Sequence, residues 1–175
     1  MIHYIHGNLL DSGCNYICHQ VNCRGAMNSG VAKQIRNVWP EVYKAYYGKY
    51  EETIRLNFAA SSMLSDIQIV ALHEDYNLTT NHQHVINMFS QADYGYDGKC
   101  YTSYDAFWNC LVKIRQCCPD TATFAFPYKI ASDRGGANWN VIRTMIEEVL
   151  YDREVFIYYL SEVDLTPEDR KILIK

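Results

Sequence analysis

Apolar and polar positions along this chain follow two periods. Short apolar runs bounded by turn residues, at 2–5, 16–21, 67–72, 85–89, 121–126 and 155–160, predict strands. Between them lie stripes with helical spacing. The first carries Val31, Ile35, Val42, Tyr43 and Tyr46, interrupted at Pro40 and given a plausible stop at Gly48. The second carries Tyr104, Phe107, Trp108, Leu111 and Ile114, with Thr102 as the expected N-cap and Asp105 in the first turn. The third carries Trp139, Ile142, Met145, Ile146 and Val149 behind an Asn138 cap. The order Thr166-Pro167-Glu168-Asp169 starts a short terminal helix. A polar turn is expected at 75–82, and the runs on either side of it are expected to pair.

This alternation predicts an α/β fold, a three-layer α/β/α sandwich with a mixed central sheet. The whole chain, 1–175, reads as one domain with its core over about 2–160 and a tail, 161–175, that ends in the short helix. Ligands of such sheets bind at the carboxyl ends of strands, where loops lead into helices. Two junctions qualify. Residues 16–32 pass from a buried strand through Asn22, Gly25, Asn28, Ser29 and Gly30 into a helix. Residues 127–138 do the same through Ser132, Gly135 and Gly136. Glycines admit close backbone approach, and a helix N-terminus favours an anion, so a phosphate-bearing ligand is expected there.

Composition narrows the ligand. The net charge of −4 argues against a surface for duplex nucleic acid but leaves a mononucleotide open, since backbone N–H groups need no basic excess. No run reaches the length of a membrane span, and residues 1–6 lack a signal-peptide pattern, so a cytoplasmic protein is expected. The seven cysteines follow no paired spacing and are read as reduced, largely buried thiols. Cys18 and His19 are consecutive strand residues that face opposite ways, a poor start for a shared metal site, so no metal is expected and no cofactor is called for.

At this point the residues resemble a known family, the macro domains, which bind ADP-ribose. Asn22 in His-Gln-Val-Asn-Cys-Arg-Gly matches the family asparagine near the distal ribose. Residues 25–32 match the first ligand loop, in the branch reading Gly-x-Met-x-Ser-Gly-Val-Ala, which brings in Gly25, Met27, Asn28, Ser29, Gly30 and Val31. Residues 127–139 match the second loop, around the diphosphate, which brings in Ala131, Ser132, Arg134, Gly135 and Gly136. Asn8 and Leu9 match the start motif beside the adenine, and Tyr158 falls where the family often places an aromatic against it. The chain is similar in particular to single-domain phage and bacterial members related to those with ADP-ribose 1″-phosphate phosphatase activity. Three positions depart from the pattern. Asn8 stands where Asp usually accepts from the adenine amino group, and it offers an acceptor without charge. Ala131 and Asp133 stand where the second loop usually has glycines, which costs backbone freedom wherever φ is positive.

The resemblance implies a monomer that binds ADP-ribose or a derivative, and it leaves two readings of the activity open. In one the protein is a hydrolase: Asn22 orients the ribose, and His19 or Asp133 activates a water. In the other it is a binding module that turns nothing over. Each residue also has a plain reading. Asn22 satisfies loop backbone groups as turn asparagines do. His19 is a core histidine with one hydrogen bond, and Asp133 caps the second loop. Tyr94, Tyr96 and Tyr101 form either a lid over the cleft or a packed surface loop. The covalent lysine mechanism of another branch is not supported, since 85–98 contains no lysine.

Overall fold

The computed structural model describes residues 2–72 and 83–173; the polar turn expected at 75–82 lies outside them. Six strands form one sheet: β1 (Ile2–His6), β2 (Tyr16–Asn22), β3 (Ile67–Ala71), β4 (His84–Gln91), β5 (Thr123–Pro127) and β6 (Glu154–Tyr159). Their spatial order is β1-β6-β5-β2-β4-β3. All neighbours are parallel except β3, which runs antiparallel to β4 at the edge. The mixed sheet and the pairing of β3 with β4 agree with the pattern of apolar runs.

Helices α1 (Gly30–Val38) and α2 (Pro40–Arg55) cover one face, and α3 (Tyr104–Cys117) and α4 (Trp139–Val149) cover the other. Alternation along β2 divides the core. Ile17 and Val21 are buried toward the first pair of helices, and Cys18 joins a cluster with Phe107, Phe124 and Ile142 toward the second. The three-layer arrangement results, because each face of a fully buried sheet needs an amphipathic cover.

Three local expectations change. Pro40 separates two helices: Trp39, before it, sits at φ −126° and ψ 79°, out of the helical region where a following proline crowds it. Gly48 does not stop α2, which runs on to Arg55. A mid-helix glycine costs about 1 kcal/mol relative to alanine. Burial of Val42 and Tyr46 and the ion pair of Lys49 with Asp66 lie on both sides of it and outweigh that cost. Thr102 is not the cap of α3. Ser103 is, accepting from the Ala106 amide at 3.2 Å, while Asp105 does lie in the first turn.

The short helix α5 (Pro167–Leu173) is docked on the sheet and α4 through Asp169, which is completely buried. No helix of the described residues is long and apolar enough to cross a membrane.

Candidate functional site

A gap in the sheet makes the site. Strand β2 pairs with β5 only at Tyr16–Phe124 and Ile17–Ala125, whereas its pairing with β4 continues to Asn22. Beyond Ile17 the two central strands part, and a cavity of about 270 Å³ opens between their carboxyl ends. Its walls come from His19 to Asn22, the segment that leads into α1, and the loop that follows β5. This is the switch-point crevice of an open α/β sheet.

The first loop is held by Asn22. Its Oδ1 accepts from the amides of Arg24 at 2.9 Å and Ala26 at 3.4 Å and from the Tyr46 hydroxyl at 2.8 Å. Its Nδ2 donates to the Ala26 carbonyl at 2.7 Å, so one amide hydrogen remains for a ligand. Gly25 lies behind the loop at φ +71°, and a Cβ there would be 2.8 Å from the Tyr50 ring. Met27, Asn28, Ser29, Gly30 and Val31 all line the cavity. Ser29 is the N-cap of α1 but makes no side-chain hydrogen bond to the first turn. The positive end of α1 therefore meets the cavity without a side-chain oxygen on it.

The second loop is cinched from inside. The Ala131 carbonyl accepts from the Ala137 amide at 3.0 Å and from the Thr102 hydroxyl at 3.0 Å. Gly135 is wedged beneath: a Cβ there would be 2.2 Å from Thr102 Oγ1 and 2.4 Å from the Ala131 carbonyl. Ala131 adopts φ +65°, the left-handed conformation a glycine takes without strain, so this departure from the family pattern carries its cost in the backbone. Ala131, Asp133, Arg134 and Gly135 line the cavity. Asp133 is exposed.

Ser132 and Gly136 are in the loop but not on the cavity wall. The Ser132 hydroxyl donates to the Ile130 carbonyl at 3.3 Å, and a Cβ on Gly136 would be 2.6 Å from the Lys99 carbonyl. Asn8, Leu9 and Tyr158 are also outside the wall. Asn8 caps a 3-10 turn, accepting from the Leu10 amide at 3.2 Å. Leu9 and Tyr158 pack in one apolar cluster with Val31, which adjoins the cavity.

His19 lines the cavity yet is buried to 1% exposure. Its Nε2 is 2.5 Å from Asn87 Oδ1, and burial drives its pKa down from 6.5 to about 4, against the opposing effect of that hydrogen bond. The ring is neutral at physiological pH.

The segment 92–101, open to two readings in the sequence, crosses the cavity mouth, with Tyr94 and Tyr96 on the wall. The Arg24–Asp93 ion pair at 2.8 Å ties it to the first loop, and the Arg134 guanidinium over the Tyr96 ring, 4.8 Å from the centroid, ties it to the second. Tyr101 is on the outside, donating to Asp97 at 2.8 Å. Gln20, Tyr128, Asn87 and Asp169 support the site without any signal in the sequence that marks them. Gln20 Nε2 donates to Ser90 on β4 at 2.9 Å and to Thr102, in the segment before α3, at 3.1 Å. Nothing in a one-dimensional pattern distinguishes such side chains from ordinary strand and helix residues. Among the described residues, no group of three or more His, Cys, Asp or Glu side chains is arranged to hold a metal ion.

No family model matches the chain, and no curated protein matches it by sequence. Solved structures do. The macrodomain of Mycobacterium tuberculosis DarG has a TM-score of 0.67 and 23% identity, over 92% of this chain and 99% of that one. A macrodomain protein from Streptomyces coelicolor has a TM-score of 0.70 and 21% identity, over 92% and 100%. Thermosipho africanus DarTG, solved in complex with ADP-ribose, has a TM-score of 0.75 and 14% identity, over 99% of this chain and 46% of that longer one. With a six-stranded mixed sheet, helices on both faces and the cavity between parting central strands, this chain has the macrodomain fold.

Proposed function

We propose that the cavity binds ADP-ribose or an ADP-ribose derivative, and that the protein hydrolyses it. The observation that carries the reading is the meeting of two backbone-rich loops at one crevice: the uncapped N-terminus of α1 on one side, the cinched 131–137 turn on the other. Backbone amides and a helix dipole suit a diphosphate, and the apolar cluster of Leu9, Val31 and Tyr158 next to them suits a base. Thermosipho africanus DarTG, which this chain matches over 46% of that protein's length, has been solved in complex with ADP-ribose, and that supports the reading.

For hydrolysis, the substrate class is an ADP-ribose 1″-phosphate, an acyl ester, or ADP-ribose linked to a protein or nucleic acid. Asn22 orients the distal ribose with its remaining amide hydrogen, and His19 or Asp133 takes a proton from the attacking water. Loop amides stabilise the charge that develops at the reacting centre. Proximity to the cavity supports both bases: His19 is a neutral imidazole on its wall, and Asp133 is a solvent-facing carboxylate at its rim.

The second reading, a binding module without turnover, draws support from Asn22, whose amide is mostly spent on its own loop. Calorimetry against ADP-ribose, AMP and NAD tests the shared part: ADP-ribose is expected to release heat, and none at high concentration would end both readings. Phosphate release from ADP-ribose 1″-phosphate then separates enzyme from module. Turnover unchanged in both His19→Ala and Asp133→Ala removes these residues from the chemistry.

A further inference from the structure

A polar chain runs across three strands beneath α2, and its direction can be reasoned from one end. The Ala45 carbonyl in α2 can only accept, so the Gln68 atom 2.9 Å from it is the Nε2 donor. Gln68 Oε1 then faces Asn87 at 3.0 Å and must be met by the Asn87 Nδ2 donor. That turns Asn87 Oδ1 toward His19, whose Nε2 at 2.5 Å must in turn carry a proton. The three side chains lie in register, with Gln68 and His19 each directly opposite Asn87 on β3 and β2. Asn87 is completely buried.

The far end of this chain is unsatisfied. With Nε2 protonated and the ring neutral, His19 Nδ1 is a lone-pair acceptor. It is fully buried and has no hydrogen-bond partner among the described residues. A buried acceptor left in this state is costly unless something supplies a donor. His19 is on the cavity wall with Nδ1 itself covered, so a ligand hydroxyl supplies the donor by displacing the side chains that cover it.

We infer that Asn87 and Gln68 are positioning residues that hold His19 as the Nε2–H tautomer, so that Nδ1 accepts a hydrogen bond from a ligand hydroxyl in the cavity. Under the proposed function, on which the ligand half of this inference rests, the hydroxyl is a ribose one. A deoxy or phosphorylated analogue at that hydroxyl has no donor to give and binds less well.

Long-range proton–nitrogen correlation spectra of the 15N-labelled full chain read the tautomer directly. The His19 signals are found by their loss in His19→Gln. The expected spectrum has a protonated, pyrrole-type Nε2 and an unprotonated, pyridine-type Nδ1 at neutral pH. A protonated Nδ1 overturns the inference without any ligand. In Gln68→Leu, which alters a half-buried position, and in Asn87→Leu, the second tautomer should appear; a ring that stays purely Nε2–H in both removes the positioning role. ADP-ribose should shift the Nδ1 resonance, and affinity in Asn87→Leu should fall about tenfold. An unmoved Nδ1 in a wild type that binds ADP-ribose calorimetrically overturns the acceptor role. A wild type that gives no heat overturns the proposed ligand, and the tautomer spectra then judge the chain of side chains by themselves.

Discussion

The Tyr128 hydroxyl donates to the Asp169 carboxylate at 2.7 Å, tying the start of the second loop to the C-terminal helix. The same carboxylate accepts from Trp139 Nε1 at 2.9 Å, just past the loop's end, from Tyr4 at 2.8 Å and from Thr166 at 2.7 Å. Arg143 approaches it at 3.8 Å. Both ends of the loop that walls the cavity therefore hang on one buried anion in a helix that the sequence presents as a tail.

Removing that anion strands four donors and a half-paired guanidinium in the interior. Asp169→Ala is expected to cost about 3 kcal/mol or more in denaturant unfolding. Burial raises the Asp169 pKa, but the hydrogen bonds from Thr166, Tyr128, Tyr4 and Trp139 outweigh it, and the net shift is downward. A carboxyl with a lowered folded pKa stabilises above its unfolded value and loses that contribution as pH falls through the folded one. Wild type should thus lose stability below about pH 4, and Asp169→Asn should show a shallower loss there.

His19 changes stability in the same direction, but over a higher pH window and through burial of a neutral ring. Its folded pKa of about 4 lies below the ordinary 6.5, so between these values the unfolded chain holds the extra proton. Stability rises with pH across that window and is lost as pH falls through it. At pH 5 this group alone should cost about 2 kcal/mol relative to pH 7.5. Urea unfolding at the two values measures it, and a difference as large in His19→Met as in wild type would assign the effect elsewhere.

At Ala131 the backbone is the issue. A left-handed alanine costs about 1–2 kcal/mol, and the added freedom of an unfolded glycine costs about 0.4–1 kcal/mol. The difference favours glycine, so Ala131→Gly should stabilise by about 0.5 kcal/mol, whereas Ala131→Val should destabilise by more than about 1 kcal/mol. Thermal unfolding of the pair decides. At Gly135 no such freedom exists. A Cβ 2.2 Å from Thr102 Oγ1 and 2.4 Å from the Ala131 carbonyl forces the turn open, and Gly135→Ala should lose ADP-ribose binding in calorimetry.

Tyr46 acts on the other loop. Its hydroxyl reaches Asn22 Oδ1 at 2.8 Å and the Asn22 carbonyl at 2.9 Å from inside α2. Tyr46→Phe keeps the ring packing on Phe89 and deletes only that donor. A loss of about 1–2 kcal/mol in stability is expected, with weaker ADP-ribose binding because the loop is less well ordered.

The layers of this protein were legible in one dimension because period and burial are local. A two-residue alternation through Ile17, His19 and Val21 marks a strand, and a stripe through Trp139, Ile142 and Ile146 marks a helix, whatever they pack against. Small-residue junctions after two strands marked both loops for the same reason. What the tertiary structure decided depends on partners distant in the chain. Gly48 is a helix stop on propensity, and burial of its neighbours keeps it helical. Thr102 is a cap on propensity, but its hydroxyl is drawn to Ala131 and the role passes to Ser103. His19, Asn87 and Gln68 form one polar chain because three strands set them side by side, and Asp169 finds Tyr4 and Tyr128 only because the sheet brings them together. Hydrogen bonds inside a core are chosen by geometry across the sheet, where the cost of leaving a buried group unpaired exceeds any preference written into neighbouring residues.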